Sequence, residues 1–464
     1  METSEVICAV STAPGIGAIA VLRMSGTGCI ALTDRIFESP SGKKLTGAKA
    51  NTVHFGRILE EGCLLDEVLV TIFHAPHSFT GEESVEIACH GSLYIQQRLL
   101  QLLVNQGARL ATPGEFTQRA FLNGKMDLSQ AEAVADLIAS SSAASHRMAL
   151  KQMKGGFSAE LIKLRAELLH ITSLLELELD FSEEDVEFAD RSELRHIAGN
   201  IDNLLIRLCK SFSLGNVIKN GVPVAIVGNT NVGKSTLLNA LLREDRAIVS
   251  DIAGTTRDVI EDTINLNGIT FRFIDTAGIR ATSDEVENIG IERTFAKIGQ
   301  ASVVLLLTDL NRGVESFEEY YHQVKSRLTS DAKLIIVLNK TDQVEDLLTP
   351  QETIRLFTSG EEIIPISART GANLDRLIQE LTQTVNLNSL NTSDVIVSNV
   401  RHYEALRNAR TAIERVNEGL ESGLSGEFIS QDIRECLHYL GEITGEITTD
   451  EVLGNIFKNF CIGK

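Results

Sequence analysis

One segment of the chain has the spacing of a phosphate-binding loop. Gly228, Gly233, Lys234 and Ser235 stand in the pattern G-x-x-x-x-G-K-S, between the apolar run VAIV and the helical pattern STLLNALL. Such glycines let backbone N–H groups surround phosphate oxygens, while the lysine reaches the β- and γ-phosphates and the hydroxyl ligates Mg²⁺. The loop predicts a nucleoside triphosphate site, to which we assign Asn231, Val232, Gly233, Lys234, Ser235 and Thr236.

Two later segments complete a magnesium-dependent site. Asp275 ends the apolar run FRFI and opens the segment DTAG. A carboxylate there holds the water shell of Mg²⁺, and the N–H of Gly278 senses the γ-phosphate. Thr256, between DTAG and the phosphate loop, is expected to supply a second Mg²⁺ hydroxyl beside that of Ser235. We therefore add to the nucleotide site Gly254, Thr255, Thr256, Asp275, Thr276, Ala277 and Gly278.

Two further segments specify the base. Asn339, Lys340 and Asp342 follow the run LIIVL in the pattern N-K-x-D. The Asp342 carboxylate can accept hydrogen bonds from N1–H and N2–H₂ of guanine, whereas adenine would leave this carboxylate, which we expect to be buried, without a partner. The next apolar run is followed by Ser367, Ala368 and Arg369, and the backbone N–H of Ala368 can bond guanine O6. The sequence therefore predicts a GTP site rather than an ATP site.

Two positions depart from the Ras pattern. Ile279 follows DTAG, so the glutamine that orients the attacking water in Ras is missing. Glu287 is the nearest candidate to replace it, with the alternative that it is one exposed acid beside Asp284 and Glu285. Asn231 is similar to the asparagine of GTPases that place K⁺ near the β- and γ-phosphates, where others use an arginine finger worth ~10³–10⁵ in rate.

The apolar runs predict the elements that position these segments. Between residues 222 and 385 the chain alternates runs with segments long enough for helices; the runs are VPVAIV, ITFRFI, SVVLLLT, KLIIVLN and EIIPIS. Continuous apolar strands that alternate with helices are typical of a parallel sheet covered on both faces. Each site segment thus follows a strand.

The flanking regions have different patterns of apolar residues. Before residue 110 the β-branched runs VICAVS, AIAVLRM, EVLVTIF and SVEIACH predict strands, and the spacing of Ile95, Leu99, Leu102 and Leu103 predicts one helix that ends at Gly107. From residue 129 to 215 the pattern is helical, and its clearest helix carries Leu161, Leu164, Leu168, Ile171 and Leu175. After residue 391 the pattern is helical again.

These patterns of apolar residues predict a multidomain α/β plus α protein. A length of 464 residues corresponds to about three domains. We expect a β-rich N-terminal domain at residues 1–119 and a discontinuous helical domain at residues 120–215 and 386–464, the second part ending in the sequence CIGK. A Ras-like P-loop GTPase domain at residues 216–385 is expected to be inserted between the two helical parts.

Composition excludes several classes. The chain is 43% hydrophobic and 23% charged, as in globular proteins. No apolar run approaches the roughly 18 residues of a membrane span, so we expect neither a membrane segment nor export. The seven cysteines are odd in number and never stand as C-x-x-C, which signals neither a disulfide framework nor a zinc site, so we expect a cytoplasmic protein. A net charge of −20 means that any RNA contact must be local or shared with a partner.

Over nearly its whole length the chain resembles the MnmE (TrmE) family of tRNA-modifying GTPases. The resemblance rests on PGEFTQRAFLNGKMDLSQAEAVADLI, DIAGTTRDV, DTAGIRATSDEVENIGIER and the terminal FCIGK, of which generic GTPases lack the first and the last. It implies K⁺-stimulated GTP hydrolysis and, with the FAD protein MnmG, addition of a carboxymethylaminomethyl group to C5 of the wobble uridine U34 of certain tRNAs. It also implies a homodimer through the N-terminal domain and a heterotetramer with MnmG.

The resemblance also implies roles for individual residues. Glu287 matches the family's water-positioning acid, and Asn231 matches a K⁺ ligand. Three residues of the loop after the first G-domain helix match contributors of K⁺-binding carbonyls: Ser250, Ile252 and Thr255. With their neighbours they extend the nucleotide site by Ser250, Asp251, Ile252 and Ala253.

The family's N-terminal domain is similar to folate-binding aminomethyltransferase domains. This implies 5-formyl- or 5,10-methylene-tetrahydrofolate as cofactor, with the contacts Arg23, Glu86, Lys125 and Lys464. From the residues alone, cations could pair with the folate glutamate tail and an acid could hold the pterin amide, but each residue also fits a surface charge.

Cys461 matches the family's tail cysteine. It is a catalytic candidate without an assigned role, and the alternative is a buried, inert small hydrophobic residue.

A different function remains open at this point. GTPases with similar switch sequences act in ribosome assembly or regulation without modification chemistry. The PGEF and CIGK segments, which a ribosome factor would not explain, distinguish the two hypotheses.

Overall fold

The structure, a computed structural model, describes residues 5–180, 191–245, 262–274, 298–309, 314–329, 332–344, 348–384, 395–458 and 460–463. The chain divides into two compact units, one of residues 1–139, 149–205 and 404–464 and the other of residues 140–148 and 206–403. Within the described ranges, no helix is both long enough and apolar enough to span a membrane.

The first unit begins with a seven-stranded sheet in the order β3-β4-β5-β6-β2-β1-β7. Its elements are β1 (Ile7–Val10), β2 (Ile19–Ser25), α1 (Cys29–Thr33), β3 (Phe37–Glu38), β4 (Thr52–Glu60), β5 (Cys63–Phe73), β6 (Ser84–His90), α2 (Leu93–Asn105) and β7 (Arg109–Leu110). Neighbours pair antiparallel except β1 and β7, which are parallel. The four strands expected from apolar runs are confirmed.

The predicted helix before Gly107 is confirmed as α2. Leu99, Leu102 and Leu103 are buried and Ile95 packs against the same core. Gly107 has φ +109°, and its N–H donates to the carbonyl of Val104. The chain leaves the helix through a backbone conformation that glycine adopts without strain.

The strand β4 was not predicted from the sequence. Its sequence, TVHFGRILE, is interrupted by Gly56 and Arg57, so it contains no continuous β-branched run. A Cβ atom added to Gly56 would collide with the ring of Phe37 on the neighbouring strand β3. Glycine is therefore required by a close approach within the sheet and does not mark a turn.

Helices form the rest of the first unit and link it to the second. They are α3 (Glu115–Leu122), α4 (Leu128–Ala139), α5 (Ala143–Met153), α6 (Gly156–Asp180) and α7 (Arg191–Asn220), followed near the C-terminus by three more described below. The predicted face of α6 is confirmed, since all five of its expected core residues are at most 1% exposed: Leu161, Leu164, Leu168, Ile171 and Leu175.

The second unit contains a six-stranded sheet in the order β13-β12-β11-β8-β10-β9. Its elements are β8 (Val222–Val227), α8 (Lys234–Asp245), β9 (Asp262–Leu266), β10 (Ile269–Ile274), β11 (Val303–Asp309), α9 (Val314–Lys325), β12 (Lys333–Asn339), α10 (Leu348–Phe357), β13 (Glu362–Pro365) and α11 (Leu374–Thr384). Two apolar clusters pack against this sheet, one including α8 and α11 and the other including α9 and α10.

The prediction of a parallel sheet is confirmed for the five apolar runs, and the structure adds an antiparallel edge strand, β9, that was not predicted. The strands β8, β10, β11, β12 and β13 pair in parallel, but β9 pairs antiparallel with β10. The two-residue connection Asn267–Gly268, with positive φ at both residues, reverses the chain directly. A turn of this kind permits an antiparallel hairpin without a crossover helix.

Three helices complete the described chain: α12 (Val400–Ser422), α13 (Gly426–Thr444) and α14 (Asp450–Phe457). The helix α14 places Leu453 and Phe457 in a small core with Leu128 and Ala131 of α4. The C-terminal part of the chain therefore packs on the segment that follows PGEF, within one unit.

Candidate functional site

The phosphate loop lies where the sequence predicts it, between β8 and α8. The buried residues of β8 end at Val227, and the first residue of α8 is Lys234. Gly228 and Gly233 allow close approaches, because an added Cβ would collide with the carbonyl of Leu307 at the first and with the side-chain amide of Asn339 at the second. Both glycines let neighbouring strands of the sheet approach the loop.

The loop is closed around the ammonium group of Lys234. Its Nζ donates to the carbonyl oxygens of Gly228 at 2.6 Å and Asn229 at 3.1 Å. Asn231, with φ +60°, is exposed at the turn of the loop, and Ser235 is half-buried in the first turn of α8. A cation and the N–H groups of a helix start are thus collected at one end of the sheet, as an anionic ligand requires.

Asn339 joins the phosphate loop to the segment that follows β13. This residue is 2% exposed. Its Nδ2 donates to the carbonyl of Val232 at 2.8 Å, and its Oδ1 accepts from the N–H of Ala368 at 3.0 Å. The Ala368 N–H that the sequence analysis assigned to guanine O6 is therefore bonded to Asn339, and a base carbonyl at this position would share or replace that bond.

The structure also brings Asp342 and Ser367 together. The Ser367 hydroxyl, fully buried, donates to Oδ1 of Asp342 at 2.7 Å. The expectation that Asp342 is buried is wrong, because its 3₁₀ turn, Thr341–Gln343, lies at the surface and contains no buried residue. Arg369 is exposed beside this pair. One carboxylate oxygen is fixed by a buried hydroxyl, which orients the group at the surface.

Two residues near the site were missed by the sequence analysis. Asp309, the last residue of β11, accepts from Nζ of Lys340 at 2.6 Å. Tyr320 of α9 hydrogen-bonds the backbone of Gly228, and burial raises the pKa of this phenol. Asp309 left a signal, since it is the only charged residue of the apolar strand VVLLLTD. Tyr320 left none, because its helix precedes β12 without any recognisable pattern.

Several predicted site residues lie outside the described ranges. They are Ser250, Asp251, Ile252, Ala253, Gly254, Thr255, Thr256, Asp275, Thr276, Ala277, Gly278, Glu287 and Lys464.

A second candidate site lies on the N-terminal sheet. Arg23 and Glu86 are directly opposite each other on β2 and β6, and the guanidinium donates to Oε1 of Glu86 from Nε at 2.9 Å and from Nη2 at 2.7 Å. The Arg23 guanidinium also lies over the rings of Phe79 and Phe116, at 5.5 and 5.9 Å. A half-buried ion pair is thus held beside two aromatic rings.

Lys125 and Cys461 are placed by backbone contacts. Nζ of Lys125 donates to the carbonyl of Pro76 at 3.1 Å. Cys461 is exposed, which contradicts the alternative that it is buried, and its carbonyl accepts from the N–H of Gly114 at 3.4 Å. The carbonyl of Gly463 accepts from the Ser11 hydroxyl at 3.1 Å. The C-terminal tail therefore lies against both the end of β1 and the start of the PGEF segment.

A buried ionic network supports the PGEF segment. Glu115 accepts from Nη1 and Nη2 of Arg109 at 3.0 and 2.7 Å and from Nη2 of Arg119 at 3.1 Å. Arg119 is 3% exposed and also donates to Glu82. Burial alone would raise the pKa of Glu115, but hydrogen bonds from Arg109 and the N–H of Thr112 together with both positive charges hold it at about 2.

We expect Glu115→Gln to lower the free energy of unfolding in a pH-dependent way. The folded carboxyl has a pKa of about 2, below the usual value of about 4.3, so its stabilisation is complete above the higher value and is lost as pH falls toward the lower one. The loss should be about 3 kcal/mol at pH 7 and about half of that at pH 3. Urea unfolding at both pH values measures it. Glu67→Gln, which removes an exposed ion pair with Arg57, should cost under about 1 kcal/mol. Equal losses for Glu115→Gln at both pH values would contradict the assignment.

Comparison with known proteins places the chain in one family. The family model described as MnmE helical domain matches residues 128–461, and the model described as GTP-binding protein TrmE N-terminus matches residues 6–125. The tRNA modification GTPase MnmE of Parabacteroides distasonis is 59% identical over 461 residues, covering 99% of each chain. That of Flavobacterium johnsoniae is 52% identical over 467 residues, covering 100% of each chain.

Likeness to solved structures is weak by contrast. A GTP-binding protein from Sulfolobus solfataricus in complex with GDP is 20% identical, with a TM-score of 0.28, over 49% of this chain and 68% of that one, which supports no further conclusion. The relatives, however, share more than half of their residues with this chain over nearly its full length. The chain therefore belongs to the MnmE family of tRNA modification GTPases.

Proposed function

We propose that this chain binds and hydrolyses GTP and that hydrolysis supports transfer of a one-carbon unit in the modification of tRNA wobble uridines. The observation that carries the GTP part is the double contact of Asn339 with Val232 and Ala368. Asn339 belongs to one guanine segment and is hydrogen-bonded both to the phosphate loop and to the other guanine segment, so the three form one site. Family membership supports the tRNA part.

The roles within the site follow from the placed groups. Lys234 binds the β- and γ-phosphates. The carbonyl groups of Gly228 and Asn229 hold its ammonium at the loop, where the phosphates are expected. The N–H groups at the start of α8, including those of Ser235 and Thr236, bind phosphate oxygens. Asp342 reads N1–H and N2–H₂ of guanine with an orientation fixed by Ser367. Together these roles use the segments that follow three strands of one sheet, β8, β12 and β13.

Two described residues of the phosphate loop support binding of two cations. The half-buried hydroxyl of Ser235 in the first turn of α8 suits Mg²⁺, with Thr256 as the second protein hydroxyl. Asn231, exposed at the turn of the loop, offers an amide oxygen to K⁺, with carbonyl groups from Ser250, Ile252 and Thr255. When bound, these cations neutralise charge that develops on the phosphate oxygens. Glu287 orients the attacking water, since Ile279 cannot.

Replacement of K⁺ by Na⁺ tests the proposed hydrolysis. Turnover of GTP should fall at least about tenfold, because the position is that of an arginine finger, which contributes ~10³–10⁵ in rate. The affinity for GTP should change little, since Lys234 and Asp342 carry binding. Steady-state hydrolysis and equilibrium titration at matched ionic strength measure the two quantities. Equal turnover in both salts would contradict the K⁺ role, and no turnover in either would contradict GTP hydrolysis.

The N-terminal site supports a folate in part. The Phe79 ring lies against Arg23 and is 37% exposed, so it offers apolar area beside a hydrogen-bonding group, which suits a pterin, whereas the Phe116 ring is fully buried. Arg23 is already paired with Glu86, so a folate glutamate tail would draw instead on the exposed cation Lys125, with Lys464 as the second. Cys461 lies on the tail that approaches β1, and we assign it no step in the chemistry.

Exposed apolar residues on the same sheet support a homodimer through the N-terminal domain. Val53, Phe55 and Leu69 are 60%, 51% and 48% exposed, and Phe55 and Leu69 are directly opposite each other on β4 and β5. Contiguous exposed apolar area of this kind marks an interaction surface. We further propose, from family membership, that the dimer acts in the cytoplasm with the FAD protein MnmG on tRNA.

A further inference from the structure

An ion pair between Asp309 and Lys340 lies at the end of the strand β11. Asp309 is 6% exposed, at the end of a strand whose other residues are apolar or a threonine. Burial of a carboxylate is strongly unfavourable unless a partner compensates it. Its 2.6 Å contact with Nζ of Lys340 supplies such a partner. The Lys340 ammonium therefore accounts for a buried carboxylate at the end of β11.

The partner residue has a strained backbone. Lys340 adopts φ +66° and ψ +37°, the left-handed region that residues other than glycine and asparagine seldom enter. It separates Asn339, which bonds the phosphate loop, from the turn that carries Asp342. If Lys340 relaxed to an ordinary conformation, the side chains on its two sides would be redirected relative to one another.

The register of β11 against β12 explains why Asp309 can hold Lys340 in its left-handed conformation. The strands β11 and β12 are parallel, and Asp309 is directly opposite Asn339, the last residue of β12. The carboxylate therefore reaches the first residue beyond the neighbouring strand. Fixing a lysine side chain before the ligand binds removes the loss of its conformational entropy from the binding step.

We propose that Asp309 is a positioning residue for guanine nucleotide recognition: by holding Lys340 it preorganises the segment Asn339–Asp342 before the base enters. This inference rests on the proposed binding of GTP. It assigns Asp309 no contact with the base. The pair therefore raises the affinity for GDP and GTP by one common factor and leaves the rate of hydrolysis unchanged.

Fluorescence titration with labelled GDP and GTP, together with steady-state hydrolysis, tests the proposal on the full chain. Asp309→Asn preserves shape and removes the charge. We expect Kd to rise about tenfold for both nucleotides and KM to rise in parallel, with kcat changed less than about twofold. The control is Glu380→Gln, which breaks the ion pair of Lys333 at the opposite end of β12 and should leave Kd unchanged.

A second pair of variants separates positioning from a general loss of stability. Lys340→Met should raise Kd about as much as Asp309→Asn does. In the double variant, Kd should rise less than about twofold above its value in Lys340→Met, because the two side chains act as one unit. The double variant leaves neither charge unpaired, so it keeps the test decisive if Asp309→Asn alone does not fold.

Three results would overturn the inference. They are an unchanged Kd in a folded Asp309→Asn, an equal effect of Glu380→Gln, and full additivity of the two substitutions at 309 and 340. Failure of the unsubstituted chain to bind either nucleotide would instead overturn the proposed function.

Discussion

Asp342→Asn is expected to reverse the preference for GTP over xanthosine triphosphate. The amide oxygen that this substitution introduces can still accept the hydrogen bond of Ser367, which leaves the NH₂ group facing the base. That group is a donor, so it opposes the N2–H₂ of guanine and matches the carbonyl of xanthine at the same position. A site built to bond one polar group rejects the mismatched base by a factor of about 10⁴. We therefore expect the ratio of the two Kd values to change by at least about 10³.

Competition binding with the two triphosphates measures this ratio. Asp375→Asn, which neutralises an exposed acid at the start of α11 in the same unit, is the matched control and should leave it unchanged. Because Asp342 lies in a surface turn with no buried residue, the variant should fold normally. A variant that still prefers GTP strongly would show that another group reads the base.

Lys234→Met should abolish most GTP binding and nearly all hydrolysis. The methionine keeps most of the length and the apolar stem of lysine, but it removes a cation whose Nζ lies 2.6 Å from the carbonyl of Gly228, inside the loop. A charge-assisted contact to phosphate in a partly buried site is worth several kcal/mol. We expect Kd for GTP to rise at least about 10²-fold and kcat to fall by about 10³.

The control for Lys234→Met is Lys210→Met, which removes one exposed lysine from α7 and equalises the change in net charge. It should leave both constants unchanged. Circular dichroism and thermal unfolding check that Lys234→Met is folded, since the substitution also removes two hydrogen bonds within the loop. Turnover by Lys234→Met within about tenfold of the unsubstituted chain would contradict the assigned role.

How much of this structure the sequence could predict depends on whether local pattern and spacing were sufficient. The strands before the phosphate loop and before Asn339 are uninterrupted apolar runs, so both were predicted, and the segments they position followed from spacing alone. The strand β4 was not predicted, because Gly56 is required by the ring of Phe37, which is 19 positions away in sequence. A contact of that kind leaves no local pattern.

The same limit applies within the site. The pattern N-K-x-D predicted which residues face a guanine, but it could not show that Asp309 holds Lys340, because that contact depends on the register of two parallel strands. The exposure of Asp342 was predicted wrongly, since the pattern contains nothing about the depth of its turn. On the N-terminal sheet, Arg23 and Glu86 were named separately, and their ion pair required the pairing of β2 with β6.

Nucleoside analysis of tRNA tests most directly whether hydrolysis of GTP by this chain supports tRNA modification. Total tRNA is isolated from cells that lack the gene and from the same cells carrying either the unsubstituted gene or Lys234→Met. We predict that carboxymethylaminomethyl groups disappear from wobble uridines without the gene, return with the unsubstituted gene, and stay absent with Lys234→Met at equal protein level. Unchanged wobble uridines in cells without the gene would contradict a role in modification and favour a ribosome-assembly or regulatory GTPase.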